Sequence, residues 1–200
     1  MSTEKVDLIQ LPKPRKEGTL SVEAALATRR SVRAYTRDEL TQDQIGQLLW
    51  AAQGITGGTP SKRTAPSAGG LHPLLFYVCC ADGIWLYSPE RHTLKHHWDE
   101  DIRGGLSIAA WKQSFLDTAP CVFIAVAIYR RMTERYGERG RMRYVPMDLG
   151  HATQNLLLQA VALGLGSVVV GAFDDAQISE VAHLSANEEP LYLIPVGYPA

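Results

Sequence analysis

Four residues near the start of the chain could bind a phosphate group: Arg29, Arg30, Ser31 and Arg33. A guanidinium group donates two parallel hydrogen bonds that match a pair of phosphate oxygens, and the serine hydroxyl adds a further donor. Because these residues lie within five positions at the predicted end of a helix, they indicate a compact anion site. A solvated basic helix end is the alternative interpretation, and composition alone favours it.

A second candidate is the loop formed by Pro66, Ser67, Ala68, Gly69 and Gly70. Paired glycines let the backbone approach a ligand closely and adopt unusual dihedral angles, and Ser67 offers a hydroxyl group. The loop is not a P-loop, because the Lys-Ser/Thr ending of that motif is missing. Taken alone, it resembles many other loops.

A third candidate spans residues 162–174, where a predicted helix end is followed by a glycine turn and a strand that carries Val170 and Gly171. It contains no polar side chain suited to catalysis, and simple packing would explain it equally well. The chain also has no Gly-x-Ser-x-Gly nucleophile elbow and no dinucleotide glycine fingerprint after a strand. A nicotinamide donor, if one is used, is therefore expected to dock transiently.

Five potential metal ligands lie within nine positions: His92, His96, His97, Asp99 and Glu100. Crowding along the chain is not a coordination geometry, and the side chains of adjacent histidines tend to point apart. We therefore predict that no metal is bound.

Asp148 and His151 lie near the start of a predicted long helix, where a catalytic pair is conceivable. Helix capping and buried hydrogen bonding are the interpretation that we favour for these two side chains.

Hydrophobic periodicity and capping residues predict an α+β protein. Ser21 is expected to begin the first helix, and Thr41 with Gln44 has the spacing of a capping box. A long helix over residues 147–163 is expected to end at Gly164. Its second half is apolar nearly all round, which requires burial on most sides, and a subunit interface would provide it.

Further elements follow from short apolar runs and turn residues. The predicted strands and helices cover 74–79 and 84–87 as a hairpin, 100–116 as a helix, 122–129 as a central strand, 167–170 as a strand, a helix after Asp174, and 191–196 as the last strand.

The bulk composition fits one globular domain. The chain has 200 residues, of which 46% are hydrophobic and 20% charged, and its formal net charge is −1. This charge gives no sign of a protein that coats nucleic acid or an anionic membrane, and no apolar stretch approaches the length of a membrane span. We expect an extended N-terminal arm over residues 1–19 and a single domain over residues 20–200.

Three cysteines lie in apolar, strand-like settings: Cys79, Cys80 and Cys121. An odd number without the spacing of a disulfide framework predicts reduced thiols, and the first residues lack the apolar core of a secretory signal. These features together predict a cytoplasmic protein.

Several segments, taken in order, resemble the nitroreductase superfamily, and within it the SagB-type dehydrogenase-like branch. The resemblance covers roughly residues 20–199, and the segments that carry it are RRSVRAY, LLWAAQGIT, RTAPSAGGLHPLLFYV, DLGHATQNLLLQAVALGLG, VGAFDD and PVGYP. Each segment alone has low specificity, whereas their joint order is highly specific. The resemblance implies a central, mostly antiparallel sheet flanked by helices and closed by an intertwined homodimer.

The resemblance also implies an FMN cofactor. The FMN phosphate and ribityl chain would be held by Arg29, Arg30, Ser31 and Arg33, and Arg33 would also reach the N1/O2 edge of the ring. A cation there would stabilise the negative charge that develops on reduction.

The remaining cofactor contacts are implied for two other segments. The loop of Pro66, Ser67, Ala68, Gly69 and Gly70 would contact the flavin bound mainly by the other subunit. The backbone of Val170 and Gly171 would lie near N5, and Gln113 is a further candidate for the polar edge of the ring.

The chain departs from the family in one respect. Many nitroreductases continue past the final strand to basic residues that also bind the phosphate, whereas this sequence stops at Ala200. We expect the arginines near position 30 to suffice. The alternative is a contribution from residues 139–143, which could equally form a mobile flap or a solvated turn.

The implied function is hydride transfer from NAD(P)H to FMN, and then from FMN to a small organic acceptor. Two alternatives stay open at this point: oxidation of azolines in a peptide, as SagB-like dehydrogenases perform, and flavin binding without turnover.

Overall fold

The structure, a computed structural model, describes residues 7–200 and is built around one seven-stranded sheet. The strand order is β1-β4-β3-β2-β5-β7-β6, and every pair of neighbouring strands is antiparallel. This confirms the predicted α+β fold with a mostly antiparallel sheet. The strands are β1 (Leu8–Gln10), β2 (Leu74–Cys80), β3 (Gly83–Ser88), β4 (Thr93–Trp98), β5 (Cys121–Ala127), β6 (Gly166–Ser167) and β7 (Glu189–Gly197).

The central strand β5 separates two hydrophobic cores. All seven of its residues are buried, and successive side chains point to opposite faces of the sheet. Phe123 and Ala125 pack into the core beneath the second and sixth helices, whereas Ile124 and Val126 pack into the core on the opposite face. The apolar run that predicted a central strand is therefore explained by burial on both faces.

Helices cover both faces of the sheet. They are α1 (Val22–Thr28), α2 (Gln42–Gln53), α3 (Arg103–Ala109), α4 (Phe115–Thr118), α5 (Arg130–Arg139), α6 (Val145–Ala162) and α7 (Asp175–Val181). The predicted caps are confirmed. Ser21 Oγ accepts from Ala24 N, and Thr41 and Gln44 form a complete capping box.

Helix α6 is the longest element, and its sequence explains both its burial and its end. Leu149, Ala152 and Leu156 lie in the core against the sheet and α2. The helix ends where Gly164 adopts a φ of +72°, a left-handed conformation that glycine adopts without steric penalty. The prediction of a long helix closed by Gly164 is thus confirmed.

Residues 100–116 do not form the single helix that was predicted. Helix α3 ends at Ala109, and α4 begins at Phe115 after a turn in which Trp111 and Lys112 have φ values of +55° and +64°. Two successive left-handed residues cannot continue an α-helix. Strand β4 was not predicted, because its residues Lys95, His96 and His97 give it little apolar character.

The predicted N-terminal arm is partly a strand. Leu8–Gln10 pairs with β4 at the edge of the sheet, while residues 1–6 lie outside the described part of the chain.

The cysteine prediction was wrong for two of the three residues. Cys80 is the last residue of β2 and Cys121 is the first residue of β5. Because these strands pair, the two Cα atoms lie 4.7 Å apart and the residues form a disulfide. Cys79 is buried and free, and burial raises the pKa of its thiol. Sequence spacing could not show this pair, because 41 residues separate its members and only the sheet register joins them. The pairing also removes one of the two arguments for a cytoplasmic location.

The clustered metal-ligand candidates do not converge on one point, although His96 Nε2 lies 2.8 Å from Asp99 Oδ1. The ring of His92 bonds to Tyr87 and to the carbonyl of Pro12, whereas His97 bonds to the carbonyl of Ala182 near the end of α7. Within residues 7–200, no three His, Cys, Asp or Glu side chains are grouped to hold a metal ion. None of the helices in the same range is long and apolar enough to cross a membrane.

The disulfide predicts the thiol count of the purified protein. Under denaturing, non-reducing conditions we expect one reactive thiol per chain, on Cys79, and three after reduction. Thiol alkylation followed by intact mass measurement checks this count. Three alkylated cysteines without a reductant would contradict the Cys80–Cys121 pair, and a Cys79→Ser variant provides the matched control with none.

Candidate active site

The basic segment that follows α1 is anchored along the edge of the sheet. Ser31 forms a parallel bridge with Ser167 in β6, and Val32 N donates to the Ser167 carbonyl at 3.0 Å. The buried Tyr35 hydroxyl donates to the carbonyls of Val32 and Pro195. Burial raises the pKa of this phenol, so it remains a neutral donor. These contacts hold the predicted phosphate segment against β6 and β7.

The three arginines of this segment have different surroundings. Arg30 Nη1 donates to the carbonyls of Ala27 and Arg29, at 3.0 and 2.8 Å, and so helps to close the end of α1. The guanidinium of Arg33 lies 6.0 Å from the ring centre of Phe115. Among the described residues, neither Arg29 nor Arg33 has a carboxylate partner. Both guanidinium groups are therefore free to bind an anionic ligand.

Val170 and Gly171 follow Ser167 closely along the chain, and Ser167 is the residue to which the basic segment is bridged. Val170 and Leu193 exchange two backbone hydrogen bonds of 2.8 and 2.9 Å, which fix the strand on β7. Gly171 is exposed, and its amide has no hydrogen-bond partner within residues 7–200. A side chain at this position would meet the ring of Tyr192 at 3.2 Å, so a small residue fits here.

Gln113 joins the α3–α4 turn to the same strand end. Its Nε2 donates to the carbonyls of Ala110 and Ala172, both at 3.0 Å. The Arg33–Phe115 contact, the Ser31–Ser167 bridge and the Gln113–Ala172 hydrogen bond connect the basic segment, the α3–α4 turn and the strand end that carries Gly171. We call this region the arginine half-site; its predicted residues are Arg29, Ser31, Arg33, Gln113 and Gly171.

The glycine loop lies elsewhere, against the start of α6. Ser67 Oγ donates to Asp148 Oδ2 at 2.5 Å and accepts from His72 N at 2.9 Å, while Ala68 N donates to Asp148 Oδ1 at 3.3 Å. Gly69 and Gly70 have φ values of +63° and +66°, which explains the need for glycine at both positions. We call the loop of residues 66–70 the loop half-site.

Two residues at the loop half-site were missed from the sequence. A Cβ atom at Gly69 would lie 2.7 Å from the Tyr136 hydroxyl and 3.0 Å from Arg135 Nη1. Helix α5 therefore places an arginine and a tyrosine over the loop. Its sequence is strongly charged, and the only signal for a helix was the pair Met132 and Tyr136, which are four positions apart and share one face.

His72 anchors the far end of the loop. Its Nε2 donates to the Ser61 carbonyl at 3.0 Å, and burial lowers the pKa of the imidazole, which favours the neutral ring. Arg131 Nη1 donates to the His72 carbonyl at 3.2 Å. The loop is therefore held at both ends by polar contacts inside the same chain.

The two half-sites lie at opposite ends of α6. Asp148 is in the first turn of this helix, and Gly166, which contacts Val32, follows its end. With a rise of about 1.5 Å per residue, the helix between them separates the half-sites by roughly 20 Å.

Residues 139–143, the alternative phosphate ligands, form the end of α5 and a π-helical turn, Gly140–Tyr144, that leads into α6. Arg141 forms two hydrogen bonds of 3.0 and 2.7 Å with Glu189, and these raise the pKa of the guanidinium. Arg139 donates to the Tyr144 hydroxyl. The segment is helical rather than a solvated turn, and two of its three arginines have partners in their own chain.

Comparison with known proteins identifies the family. The nitroreductase family model matches residues 26–198. The chain is 44% identical to a Methanocaldococcus jannaschii protein that carries the name nitroreductase, over 94% of this chain and 95% of the relative. The chain belongs to the nitroreductase family.

Solved structures agree with this assignment. A structure from Ralstonia eutropha, named as a nitroreductase, matches with a TM-score of 0.87 and 30% identity, covering 97% of this chain and 90% of that one. The fold is also shared with the NADPH:FMN oxidoreductase of Vibrio harveyi, solved with NAD+, at a TM-score of 0.66 and 20% identity, covering 88% of this chain and 67% of that one. Membership of the nitroreductase family makes the general activity that of an oxidoreductase.

The double hydrogen bond of Gln113 predicts its contribution to stability. Gln113→Ala leaves the carbonyls of Ala110 and Ala172 without this partner, and we expect the free energy of unfolding to fall by about 1–2 kcal/mol. Urea unfolding followed by circular dichroism measures the change. Gln177→Ala, on the exposed surface of α7, is the control and should change stability by less than about 0.5 kcal/mol. Equal stability of the two variants would contradict this role.

Proposed function

We propose that the protein is an FMN-dependent oxidoreductase that passes hydride from NAD(P)H to a small organic acceptor in two steps. The observation that carries the proposal is the pair of guanidinium groups, on Arg29 and Arg33, without carboxylate partners among the described residues. Their segment is bridged to Ser167, and the strand end that follows Ser167 carries the free amide of Gly171. The NADPH:FMN oxidoreductase fold of Vibrio harveyi, whose name states both molecules, supports the same conclusion.

The donors of the arginine half-site fit the chemistry of FMN. A phosphate dianion needs cationic forks and hydroxyl donors, which Arg29, Arg33 and Ser31 supply. The polar edge of an isoalloxazine ring needs hydrogen-bond donors, and Gly171 has a free amide that is exposed at a strand end. Val170 would contribute by holding this strand end in place.

When bound, FMN would supply the two-electron chemistry of the reaction. The protein would contribute binding and electrostatics. Arg29 and Ser31 would hold the phosphate, Arg33 would stabilise negative charge that develops during reduction, and the Gly171 amide would donate a hydrogen bond. No side chain of the arginine half-site is an acid or base suited to proton transfer, so this mechanism uses no obligatory general acid.

We also propose that the active enzyme is a homodimer. The loop half-site is roughly 20 Å from the arginine half-site in the same chain, and a second copy would supply the loop missing from each arginine half-site. Apolar side chains are exposed near both ends of α6. On α1, beside the second half of α6, Val22 and Leu26 are 65% and 55% exposed, and Met142, just before the start of α6, is 69% exposed. A two-fold axis would bury such patches against each other.

A cavity of about 520 Å³ adjoins the exposed face of α1 and supports this interface. It lies between α1, α2 and α6 and is lined by Trp50, Leu158 and Leu163. The half-buried Leu158 and Leu163 lie in the second half of α6 and just after its end, in the apolar stretch for which the sequence predicted burial at a subunit interface. A second copy of the chain would complete that burial.

The cofactor proposal predicts the colour and redox behaviour of the protein. Purified protein supplied with FMN should be yellow, and anaerobic NADH or NADPH should bleach it within seconds. Visible absorbance of the flavin measures both properties, and mass spectrometry of the released cofactor identifies it. A yellow protein that neither donor reduces would contradict the reductase mechanism and favour azoline oxidation or flavin binding without turnover. Oxidation of an azoline peptide separates those two alternatives.

The phosphate assignment predicts a loss of flavin binding. Arg29→Ala with Arg33→Ala should weaken FMN binding at least about 100-fold, because two charged hydrogen-bond donors are removed from the phosphate. Titration of FMN fluorescence measures the dissociation constant. Arg91→Ala with Lys95→Ala removes the same charge from the exposed β3–β4 hairpin and should leave binding within about 2-fold. Unchanged affinity in the Arg29/Arg33 variant would reject the assignment.

A further inference from the structure

We propose that Asp148 is a positioning residue that fixes the shape of the loop half-site, and that the loop offers the main-chain amide of Gly69 to the flavin rather than the Ser67 hydroxyl. This inference rests on the proposed function, because it concerns how the loop would meet FMN. It assigns a role to a buried carboxylate that no step of the proposed mechanism uses.

The carboxylate of Asp148 is buried, with the residue 3% exposed, and both of its oxygens face the loop. Oδ2 accepts the Ser67 hydroxyl at 2.5 Å, and Oδ1 accepts the Ala68 amide at 3.3 Å. Within residues 7–200, no Lys, Arg or His forms an ion pair with it. Its charge is therefore balanced mainly by hydrogen bonds from the loop, and the charge strengthens those bonds.

The single proton of the Ser67 hydroxyl is used inside the chain. It has one proton, which it donates to Asp148, and its oxygen accepts from His72 N at 2.9 Å. A ligand that required this proton would have to break the short bond to Asp148. Ser67 therefore shapes the loop and is not the group that the loop presents.

Most of the loop amides are used as well. Ala68 N donates to Asp148, Gly70 N to the Ser67 carbonyl at 3.0 Å, and Leu71 N to the Ala68 carbonyl at 3.3 Å. Among the described residues, the amides of Ser67 and Gly69 have no acceptor, and of these two residues Gly69 is exposed whereas Ser67 is half-buried. Gly69 also has a left-handed φ of +63°, so the loop presents this donor without a side chain on it.

An aspartate is required because two donors converge on one side chain. An asparagine has the same size but only one oxygen, and the Ala68 amide needs that oxygen as its acceptor. The asparagine NH2 group then faces Ser67 Oγ, so the Ser67 proton loses its acceptor and the short charged bond is removed. Asp148→Asn therefore tests the carboxylate with little change in volume.

Three variants and one control test the inference. Asp148→Asn and Ser67→Ala should each weaken FMN binding about 10-fold. The double variant should be no more than about 2-fold weaker than Asp148→Asn alone, because both changes break the same contact. Thr153→Val is the matched control. Thr153 is 2% exposed on the same helix, and its hydroxyl has no partner among the described residues, so FMN affinity should stay within about 2-fold.

A second readout separates positioning from general damage to the fold. Amide hydrogen exchange of residues 68–71 in the flavin-free protein should be faster in Asp148→Asn and Ser67→Ala, and unchanged in Thr153→Val. The visible circular dichroism of FMN at saturation should change in the first two variants only. A variant that fails to fold is replaced by the other, since Ser67→Ala removes the same hydrogen bond from the loop side.

The possible outcomes are distinct. If the wild-type protein binds FMN and both variants stay within 2-fold of it, the inference is overturned while the proposed function stands. If Asp148→Asn weakens binding but Ser67→Ala does not, Asp148 acts by another route and the inference is also overturned. If the wild-type protein binds no FMN, the proposed function fails. The positioning role is tested separately by amide hydrogen exchange of residues 68–71 in the flavin-free protein, and equal rates in all variants would overturn it.

Discussion

The burial of α6 between the sheet and α2 is the constraint on which the candidate site depends. Asp148, which anchors the glycine loop, lies in the first turn of this helix. Shortly after the helix ends, the chain enters the edge strand β6, whose Ser167 pairs with Ser31. Because a helix is rigid along its axis, the distance between its two ends is fixed. One chain consequently holds two separated half-sites, and the homodimer proposal follows from this geometry.

Five arginines are paired with carboxylates; these pairs are Arg15–Asp43, Arg63–Glu90, Arg103–Asp101, Arg130–Glu134 and Arg141–Glu189. Nine arginines have no carboxylate partner among the described residues, and Arg29 and Arg33 belong to these nine. Arg29 and Arg33 lie on a segment that is fixed by backbone contacts with Ser167. A rigid backbone with unpaired guanidinium groups is the arrangement that binds an anion with little reorganisation. The loop half-site has the opposite arrangement, since its carboxylate is satisfied and its free group is a backbone amide.

Local sequence signals predicted elements whose cause is local. Ser21, Thr41 with Gln44, and Gly164 each act within one helical turn, and the structure confirms all three. The prediction failed where the cause lies elsewhere in the fold. Residues 93–98 form a strand because β1 and β3 flank them, and Cys80 reaches Cys121 only through the pairing of β2 with β5.

The sequence by itself determined the fold class and the order of the main elements, because periodicity, caps and ordered motifs are written along the chain. The segments that a flavin site would use stay a prediction. Only the tertiary structure decided which of these segments share a surface. It grouped Arg33 with Gln113 and Gly171, placed the glycine loop with Asp148 at the other end of α6, and brought Arg135 over Gly69. The physical reason is that such groupings depend on strand register and helix packing between residues far apart in sequence, which no local pattern records.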